Sequence, residues 1–396
     1  MSIAASSRVE RLAAAMAPIQ RMVGSPIWER RGAPGVADFM VGNPQEMPLT
    51  ELVDVLQRNA QPRDKNWFAY HLNEPEARIP VARSLTRLTG LDWDPEDVFM
   101  TNAGFGALTV TLRAITEPGD EVIYLSPPWF FYELLIAGAD AIPVRLKLSP
   151  PAFDLDPEAI AAAITQRTRA IIVNSPHNPS GRVYPLEALS RLATLLDDAS
   201  RRNGRTVHLI ADEPYRRILF DGMRYHSASE VYPGTIITYS YGKVLLAPGQ
   251  RLGYIAVPPT SLERQALRRS IELFQWATGY AFADALMQHS TADLENVSID
   301  IPRMQARRDR MVGALREMGY QTTNPEGTFY VLVRCPTEDD QAFANALADD
   351  NVLVLPGTIV ELPGWARLSL TASDEMVEQA LPAFKRALVA SGQAPL

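Results

Sequence analysis

Short apolar runs recur along the first two thirds of the chain, and longer helical patterns separate them. Most of the runs are continuous, without alternation of apolar and polar residues, which is the pattern of strands buried on both faces of a sheet. Helical patterns over 157–164 and 186–202 lie between them. This order predicts an α/β fold with a mostly parallel sheet covered by helices. The apolar runs lie at 97–101, 121–125, 169–173, 206–211, 235–239 and 252–257.

The pattern changes from about residue 290. A charged helical segment at 301–319 precedes two strand candidates at 328–333 and 367–370, and a helix over 374–390 follows. This mixture indicates a smaller α+β domain.

We expect the two ends of the chain to form that smaller domain together. The expected large domain spans 46–288, and the small domain combines 1–45 with 289–396. Glu10 interrupts the basic residues near the N-terminus, and no convincing cleavage site follows. We therefore interpret the first 20 residues as an amphipathic helix of the mature protein rather than a targeting signal.

Composition argues against several classes of protein. The 396 residues carry a formal net charge of −8 without any basic tract, so a nucleic-acid partner is not expected. No apolar run approaches the roughly 18 residues that cross a bilayer. The single cysteine, Cys335, fits a reducing compartment, and we expect a cytoplasmic protein. The five histidines show no metal-ligand spacing, so no metal is expected.

Glycine-rich, proline-rich and polar segments directly follow five of the strand candidates. In open α/β sheets, ligands bind outside the carboxyl ends of the strands. The five segments therefore predict one shared site. They are TNAGFG (101–106), SPPWFFY (126–132), NSPHNPSG (174–181), DEPY (212–215) and SYGK (240–243).

Single segments also have plain structural explanations. Gly104-Phe105-Gly106 resembles the start of a dinucleotide-binding motif, but Thr109 stands at its third glycine position, and a simple turn explains the segment equally well. Trp129 follows two prolines and can either stack on a flat ring or pack in a core. The segment 174–181 is more specific, because a surface turn rarely needs two asparagines and two prolines so close together.

Together, the segments supply the groups that one cofactor requires. A lysine in a dry, partly cationic site loses proton affinity and attacks carbonyls, which is the expectation for Lys243. Ser240 and Arg251 flank it and can bind a phosphate. Asp212 can meet a protonated ring nitrogen, and the Tyr215 hydroxyl can reach the same place. With a helix start for an anion and Trp129 for a ring, this set indicates pyridoxal 5′-phosphate (PLP).

The chain also resembles the fold-type I PLP enzymes, and among them the class I/II aminotransferases that include aspartate aminotransferase. Segment 174–181 is similar to the family's NxPxNPTG, and SYGKVLLAPGQRLGY (240–254) is similar to its SxSKxxxxPGxRxGY. The resemblance extends from about residue 36 to 385. It implies a large domain on a mostly parallel seven-stranded sheet, and a homodimer with the active site at the subunit interface.

The resemblance implies a role for each matching residue. Lys243 would form the Schiff base and move the Cα proton, and Asp212 would keep the pyridine nitrogen protonated. Arg367 would bind the substrate α-carboxylate, with Gly42 and Asn178 near the substrate. The other implied cofactor contacts are Tyr215 and Asn178 at the ring oxygen, Trp129 on the ring, Ala103, Gly104, Phe105, Ser240 and Arg251 at the phosphate, and Tyr70 reaching in from the partner subunit.

Several positions depart from the family's pattern. Gly242 replaces a serine before the lysine, Ala103 replaces a common glycine of the phosphate loop, and Ser180 replaces a threonine. Two further differences bear on the substrate side chain. Phe105 stands where some aspartate-using relatives carry a lysine, and Val360 stands where many members have phenylalanine.

We therefore expect an aminotransferase that moves an amino group between an L-amino acid and a 2-oxo acid through Lys243. PLP-dependent oxidases, lyases and cyclising synthases use the same lysine, aspartate and tyrosine, so these reactions remain alternatives. A non-catalytic, ligand-sensing relative would carry an N-terminal DNA-binding domain. The match begins by about residue 36, which disfavours that alternative.

Overall fold

The computed structural model describes residues 6–279 and 283–392. Helices and strands alternate along most of this length. The helices are α1 Ser7–Val23, α2 Pro26–Glu29, α3 Thr50–Asn59, α4 Pro75–Thr89, α5 Ala103–Ile115, α6 Tyr132–Gly138, α7 Pro157–Ala163, α8 Leu186–Asn203, α9 Arg264–Thr278, α10 Ala285–Leu294, α11 Ile301–Glu317, α12 Asp340–Asp349 and α13 Asp374–Ala390. The strands are β1 Ala37–Asp38, β2 Val98–Thr101, β3 Glu121–Ser126, β4 Ile142–Lys147, β5 Thr168–Asn174, β6 His208–Asp212, β7 Thr235–Ser240, β8 Gly253–Ala256, β9 Tyr330–Arg334, β10 Val352–Leu353, β11 Leu355–Pro356 and β12 Trp365–Ser369.

Seven strands form the central sheet, in the order β2-β8-β7-β6-β5-β3-β4. β8 runs antiparallel to both neighbours, and the other neighbouring pairs are parallel. The predicted α/β fold with a mostly parallel seven-stranded sheet is confirmed. β4 is absent from the predicted apolar runs because it lies at the sheet edge, where its sequence IPVRLK is exposed or only partly buried.

Helices cover both faces of this sheet. On β5, Ile171 and Val173 belong to an apolar cluster that includes residues of α3, α4, α8 and α10. Ala170 and Ile172 belong to a second cluster, with residues of α5, α6 and α9. Burial of both faces explains why β5 has an uninterrupted apolar sequence. Within the described ranges, every helix is too short or too polar to traverse a lipid bilayer.

The two ends of the chain meet in a smaller layer. β11, β12 and β9 form an antiparallel sheet, and α11, α12 and α13 share an apolar cluster with residues of β9 and β12. β1 pairs in parallel with β10, which joins residues near the N-terminus to the C-terminal part. The predicted boundary at residue 288 falls within α10, which packs against α3 and α4. The division into 46–288 and its flanks stays a prediction.

The N-terminal helix α1 contacts both layers. Arg8 Nε donates a hydrogen bond to Asp140 Oδ1 at 3.0 Å, just beyond the end of α6. Ile19 and Met22 join a small apolar cluster with residues of the β10–β11 segment, including Leu353. The same cluster packs against the loop between β3 and α6, which carries candidate site residues.

Candidate active site

A cavity of about 270 Å³ lies at the carboxyl ends of the sheet strands. Its lining residues follow β2, β3, β5, β6 and β7, so the five segments singled out in the sequence meet at one place. The lining residues are Gly104, Phe105, Leu108, Trp129, Phe131, Asn174, Asn178, Asp212, Pro214, Tyr215, Ser240, Lys243 and Arg251.

The start of α5 forms one end of the cavity. Its first turn, 103–106, carries no acidic side chain, and a Cβ built on Gly104 would lie 3.6 Å from the Cβ of Ser240. Backbone N–H groups at a helix start favour a bound anion. Ser240 and Arg251 line the same cavity, and Arg251 is exposed while donating to the Pro248 carbonyl oxygen at 2.7 Å. This end of the cavity can therefore hold a phosphate.

Ala103 lies behind the phosphate end rather than in the lining. Its φ of +61° falls in the left-handed region, which costs an L-residue more than glycine. Gly253 of β8 packs directly against it, since a Cβ there would come 2.8 Å from the Ala103 Cα and 2.3 Å from the Tyr239 carbonyl oxygen. The close contact between the two backbones sets the direction in which α5 begins.

Asp212 ends β6 inside the cavity and is 5% exposed. The Tyr132 hydroxyl donates a hydrogen bond to Oδ2 at 2.5 Å, and the Thr238 hydroxyl donates to Oδ1 at 3.1 Å. Burial raises the pKa of Asp212 to about 6, although both hydrogen bonds and the Lys243 charge lower it. A carboxyl group held in this way can pair with a cation or a protonated ring nitrogen.

Two asparagines order the turn after β5. Asn174 Nδ2 donates to the Asp212 carbonyl oxygen at 2.8 Å, and its Oδ1 accepts from the Asn178 backbone N–H at 2.7 Å. The turn is thereby fixed to the end of β6. The Asn178 Oδ1 accepts a hydrogen bond from Arg367 Nη1 at 3.2 Å.

Arg367 lies on β12 and is 2% exposed. Its Nη2 donates to the Met40 carbonyl oxygen at 3.0 Å, and its guanidinium carbon lies 4.1 Å from the centre of the Tyr330 ring. Its Nε has no hydrogen-bond partner among the residues that the structure describes. Burial lowers the pKa of Arg367. A buried guanidinium with a remaining donor can bind a carboxylate.

Tyr330 connects several of the predicted residues. A Cβ on Gly42 would lie 2.5 Å from the Tyr330 hydroxyl oxygen and 2.7 Å from a ring carbon of Phe329, so only glycine fits there without displacing a ring. The ring centres of Tyr330 and Tyr215 are 6.1 Å apart. Burial, followed by the neighbouring Tyr330, raises the pKa of Tyr215 well above its usual value. The Tyr215 phenol is therefore protonated at neutral pH and can donate a hydrogen bond.

Lys243 follows β7, and its Nζ lies 5.9 Å from the centre of the Tyr215 ring. The chain turns back directly after it, and the Ala247 backbone N–H donates to the Gly242 carbonyl oxygen at 3.1 Å. A Cβ on Gly242 would lie 3.0 Å from the Pro248 Cα. This close return of the backbone gives a physical reason for glycine next to the lysine.

Three aromatic rings form the apolar side of the cavity. We call Phe105, Trp129 and Phe131 the aromatic wall. Their ring centres are 5.0 Å apart for Phe105 and Trp129, 4.9 Å for Phe105 and Phe131, and 5.1 Å for Trp129 and Phe131, all edge to face. Phe130 packs on Phe131 at 4.7 Å, and its ring centre lies 6.0 Å from the Arg367 guanidinium carbon.

The family model described as aminotransferase class I and II matches residues 34–384. The chain belongs to this family. Over 371 residues, which are 91% of this chain and 92% of that protein, it is 32% identical to the aspartate/prephenate aminotransferase of Thermus thermophilus. The predicted aminotransferase is thus confirmed, and the oxidase, lyase and synthase alternatives are not favoured.

Solved structures agree with this membership. A crystal structure of an amino transferase from Eubacterium rectale matches this aminotransferase with a TM-score of 0.87 at 28% identity, over 99% of this chain and 97% of that one. The aspartate aminotransferase of Thermus thermophilus with maleate matches with a TM-score of 0.81 at 29% identity, over 97% and 100% of the two chains.

Four predicted residues of this aminotransferase lie outside the cavity lining. Arg367 and Gly42 adjoin it through Asn178 and Tyr330, and Ala103 lies behind it, as described above. Tyr70 is 89% exposed and does not line the cavity of its own chain. Val360 is fully buried in the small cluster that holds Ile19 and Met22, and its influence on the substrate side chain stays a prediction.

Four residues that hold other site residues in place received no role from the sequence, and neither did the lining residues Leu108, Phe131 and Pro214. Tyr132 and Thr238 hold Asp212, Asn174 orders the turn after β5, and Tyr330 packs on Arg367. Tyr132 and Asn174 lie inside the segments SPPWFFY and NSPHNPSG, so those two segments could have indicated that both residues belong to the site. Thr238 and Tyr330 lie inside apolar strands, and the single sequence contains nothing that distinguishes them from core residues.

Proposed function

We propose that this aminotransferase binds PLP in the cavity through Lys243. Bound PLP would supply an aldehyde that joins an amine, and a ring that accepts the electrons released when a Cα–H bond breaks. The observation that carries the proposal is the burial of Asp212 in the same cavity as Lys243. An ionised, buried carboxylate is costly unless a positively charged or N–H group pairs with it. The ring nitrogen of PLP is such a group.

The remaining groups of the cavity suit the other parts of PLP. The start of α5 offers backbone N–H groups to a phosphate, and it lies beside the Ser240 hydroxyl and Arg251. The aromatic wall offers the Trp129 ring to the flat face of the cofactor. The proposed phosphate contacts are the backbone N–H groups of Ala103, Gly104 and Phe105 and the side chains of Ser240 and Arg251. The other proposed contacts are Trp129 with the ring, Asp212 with the ring nitrogen, and Asn178 and Tyr215 with the ring oxygen.

Arg367 would bind the α-carboxylate of the substrate. Its Nε has no partner among the described residues, while Nη1 donates to Asn178 and Nη2 donates to the Met40 carbonyl oxygen. Gly42 keeps the neighbouring space open, because any larger residue would displace Tyr330. Binding the carboxylate at a buried, fixed cation orients the substrate before the reaction and contributes to the rate through orientation.

Lys243 would carry the proton transfer. While Arg367 holds the substrate, the Lys243 amine would remove the proton from the substrate Cα. It would later deliver a proton back to the reacting group. Asp212 would keep the proton on the ring nitrogen in place, with Tyr132 and Thr238 holding the carboxylate. The aromatic wall would exclude water from the same side of the cavity.

The proposed substrates are an amino acid as donor and a 2-oxo acid as acceptor. The similar proteins are named aspartate/prephenate aminotransferases, which makes aspartate and prephenate the first compounds to assay. A cytoplasmic location is also part of the proposal, and it rests on the single cysteine, Cys335, which is buried.

We further propose a homodimer with the active sites at the interface. Tyr70 and Phe68, before α4, are 89% and 59% exposed, and Leu273 and Trp276 on α9 are 56% and 50% exposed. Large exposed apolar side chains often mark contact surfaces. In this arrangement Tyr70 would reach the phosphate in the partner's cavity. Light scattering should give twice the mass of one chain, and Tyr70→Phe should weaken PLP binding.

The experiment that tests the proposed function replaces Lys243 by alanine. We expect loss of turnover and of the visible absorbance of bound PLP. Lys147→Ala is the matched control, because Lys147 is exposed on the edge strand β4. Products should be measured with and without a 2-oxo acid, since transfer requires an acceptor. Normal turnover by the Lys243→Ala protein would refute the proposal.

A further inference from the structure

The aromatic wall extends almost to the buried arginine. From Phe105, the ring centres step 4.9 Å to Phe131 and another 4.7 Å to Phe130, whose ring centre is 6.0 Å from the Arg367 guanidinium carbon. Leu108, one turn after Phe105 on α5, also lines the cavity. Apolar rings therefore connect the wall to the proposed carboxylate site, where Asn178 adds a polar lining residue.

Other apolar residues also pack against the wall. Phe130 and Phe131 pack against the small apolar cluster that contains Ile19 and Met22 of α1 and Met40. Their rings are only partly buried, so one part contacts this cluster and another part remains accessible. An apolar surface fixed before the ligand arrives binds with a smaller loss of side-chain entropy.

Each positively charged side chain at the cavity already has a role in the proposed function. Among the lining residues that the structure describes, Lys243 and Arg251 carry positive charge, and Arg367 adjoins the cavity through Asn178. In the proposed function, Lys243 reacts at the amine, Arg251 contacts the phosphate and Arg367 binds the α-carboxylate. A second carboxylate on the substrate would thus lose water beside the wall without a further cation from the described lining residues of the same chain, which is costly.

We infer that the substrate carries an apolar side chain, aromatic by preference, and that Phe105 helps to select it. This inference rests on the proposed function, because it assigns Lys243, Arg251 and Arg367 to their roles. A phenyl side chain gains contact area on the wall and edge-to-face contacts with its rings. By the same reasoning, the dicarboxylic amino acids aspartate and glutamate are the poorer substrates.

The first test compares amino acids on the PLP-loaded enzyme. Phenylalanine, leucine, aspartate and glutamate are each mixed with it, and loss of the visible cofactor absorbance is followed over time. We expect phenylalanine to exceed aspartate about tenfold or more in kcat/KM, the range that apolar pockets provide. Faster reaction with aspartate or glutamate would overturn the inference while leaving the proposed function intact. Lack of reaction with every amino acid and 2-oxo acid would overturn both.

The second test measures binding without turnover. Calorimetric titration with 3-phenylpropionate and with succinate, which lack an amino group, should give the tighter dissociation constant for 3-phenylpropionate. Phe105→Lys should reverse or abolish that order by adding a cation, and Phe105→Leu, an apolar control, should keep it. Tighter succinate binding by the unchanged enzyme would contradict the inference. Should Phe105→Lys fail to fold, Phe131→Leu should still weaken the binding of 3-phenylpropionate more than the binding of succinate. An equal effect on the two dissociation constants would contradict the inference.

Discussion

Replacement of Asp212 by asparagine should stabilise the protein without cofactor while removing its activity. Asp212 is 5% exposed, and burial raises its pKa from 3.8 to about 6. The ionised carboxyl group therefore destabilises the cofactor-free fold at neutral pH. Asparagine has nearly the same shape, and the hydroxyls of Tyr132 and Thr238 can each donate or accept, so both hydrogen bonds can be re-formed.

The size of the effect follows from the pKa. An increase from 3.8 to about 6 corresponds to about 3 kcal/mol at neutral pH. The penalty is present above about pH 6, where the folded-state carboxyl is ionised. It fades as the pH falls from 6 towards 3.8, because the folded-state carboxyl becomes protonated, and it is absent below that, where the carboxyl is protonated in both states. Imperfect hydrogen bonds to the amide reduce the expected gain to about 1–3 kcal/mol at pH 7.5.

Urea unfolding of the PLP-free proteins, at the same protein concentration for each variant, measures this gain in stability. The Asp212→Asn protein should be more stable than the original at pH 7.5, with a smaller difference at pH 5. Asp97→Asn is a contrasting control, because Asp97 is buried but paired with Arg264 at 2.7 Å and Arg268 at 2.6 Å. That replacement breaks a buried ion pair and should destabilise the protein. Destabilisation by Asp212→Asn at pH 7.5 would refute the reasoning.

Three further replacements have expected outcomes. Tyr132→Phe should raise the pKa of Asp212 by about one to two units, because a hydrogen bond to a charged group contributes about 1.5–3 kcal/mol, and the pH dependence of PLP binding should move upward accordingly. Tyr184→Phe removes a buried hydroxyl without a hydrogen-bond partner among the described residues and should leave that pH dependence unchanged. Gly42→Ala should displace Tyr330 and lower kcat/KM about 10- to 100-fold in steady-state assays, and unchanged kinetics would mean that Tyr330 does not support the site. Ala103→Gly should stabilise the protein by about 0.5–1 kcal/mol in urea unfolding, because φ is +61° there, whereas destabilisation would contradict the strain argument.

The strands that could be predicted from the sequence are those that are buried on both faces of the sheet. β5 and β6 contain the apolar runs AIIV (170–173) and LIA (209–211) because helices cover both of their faces. β4 lies at the edge, and its mixed sequence resembles a loop. β1 and β10 have two residues each and exist through pairing between distant parts of the chain, which no local pattern contains.

The site divides in the same way. Lys243, Asp212 and Asn178 stand in short motifs after strands, and the structure brings them together at one cavity. Tyr330 and Thr238 could not be found, because a tyrosine or threonine in a buried strand has the same sequence context whether it serves the core or the site. The relation of Tyr70 to a partner subunit depends on a second chain and stays a prediction.

The central claim, that Lys243 holds PLP, can be tested by a direct chemical label. The chain has four lysines, Lys65, Lys147, Lys243 and Lys385. The protein is incubated with PLP, reduced with borohydride to fix any imine, digested and sequenced by mass spectrometry. We expect a phosphopyridoxyl group on Lys243 and little on the other three lysines. Labelling at the exposed Lys147 equal to that at Lys243, or no label at Lys243, would contradict it.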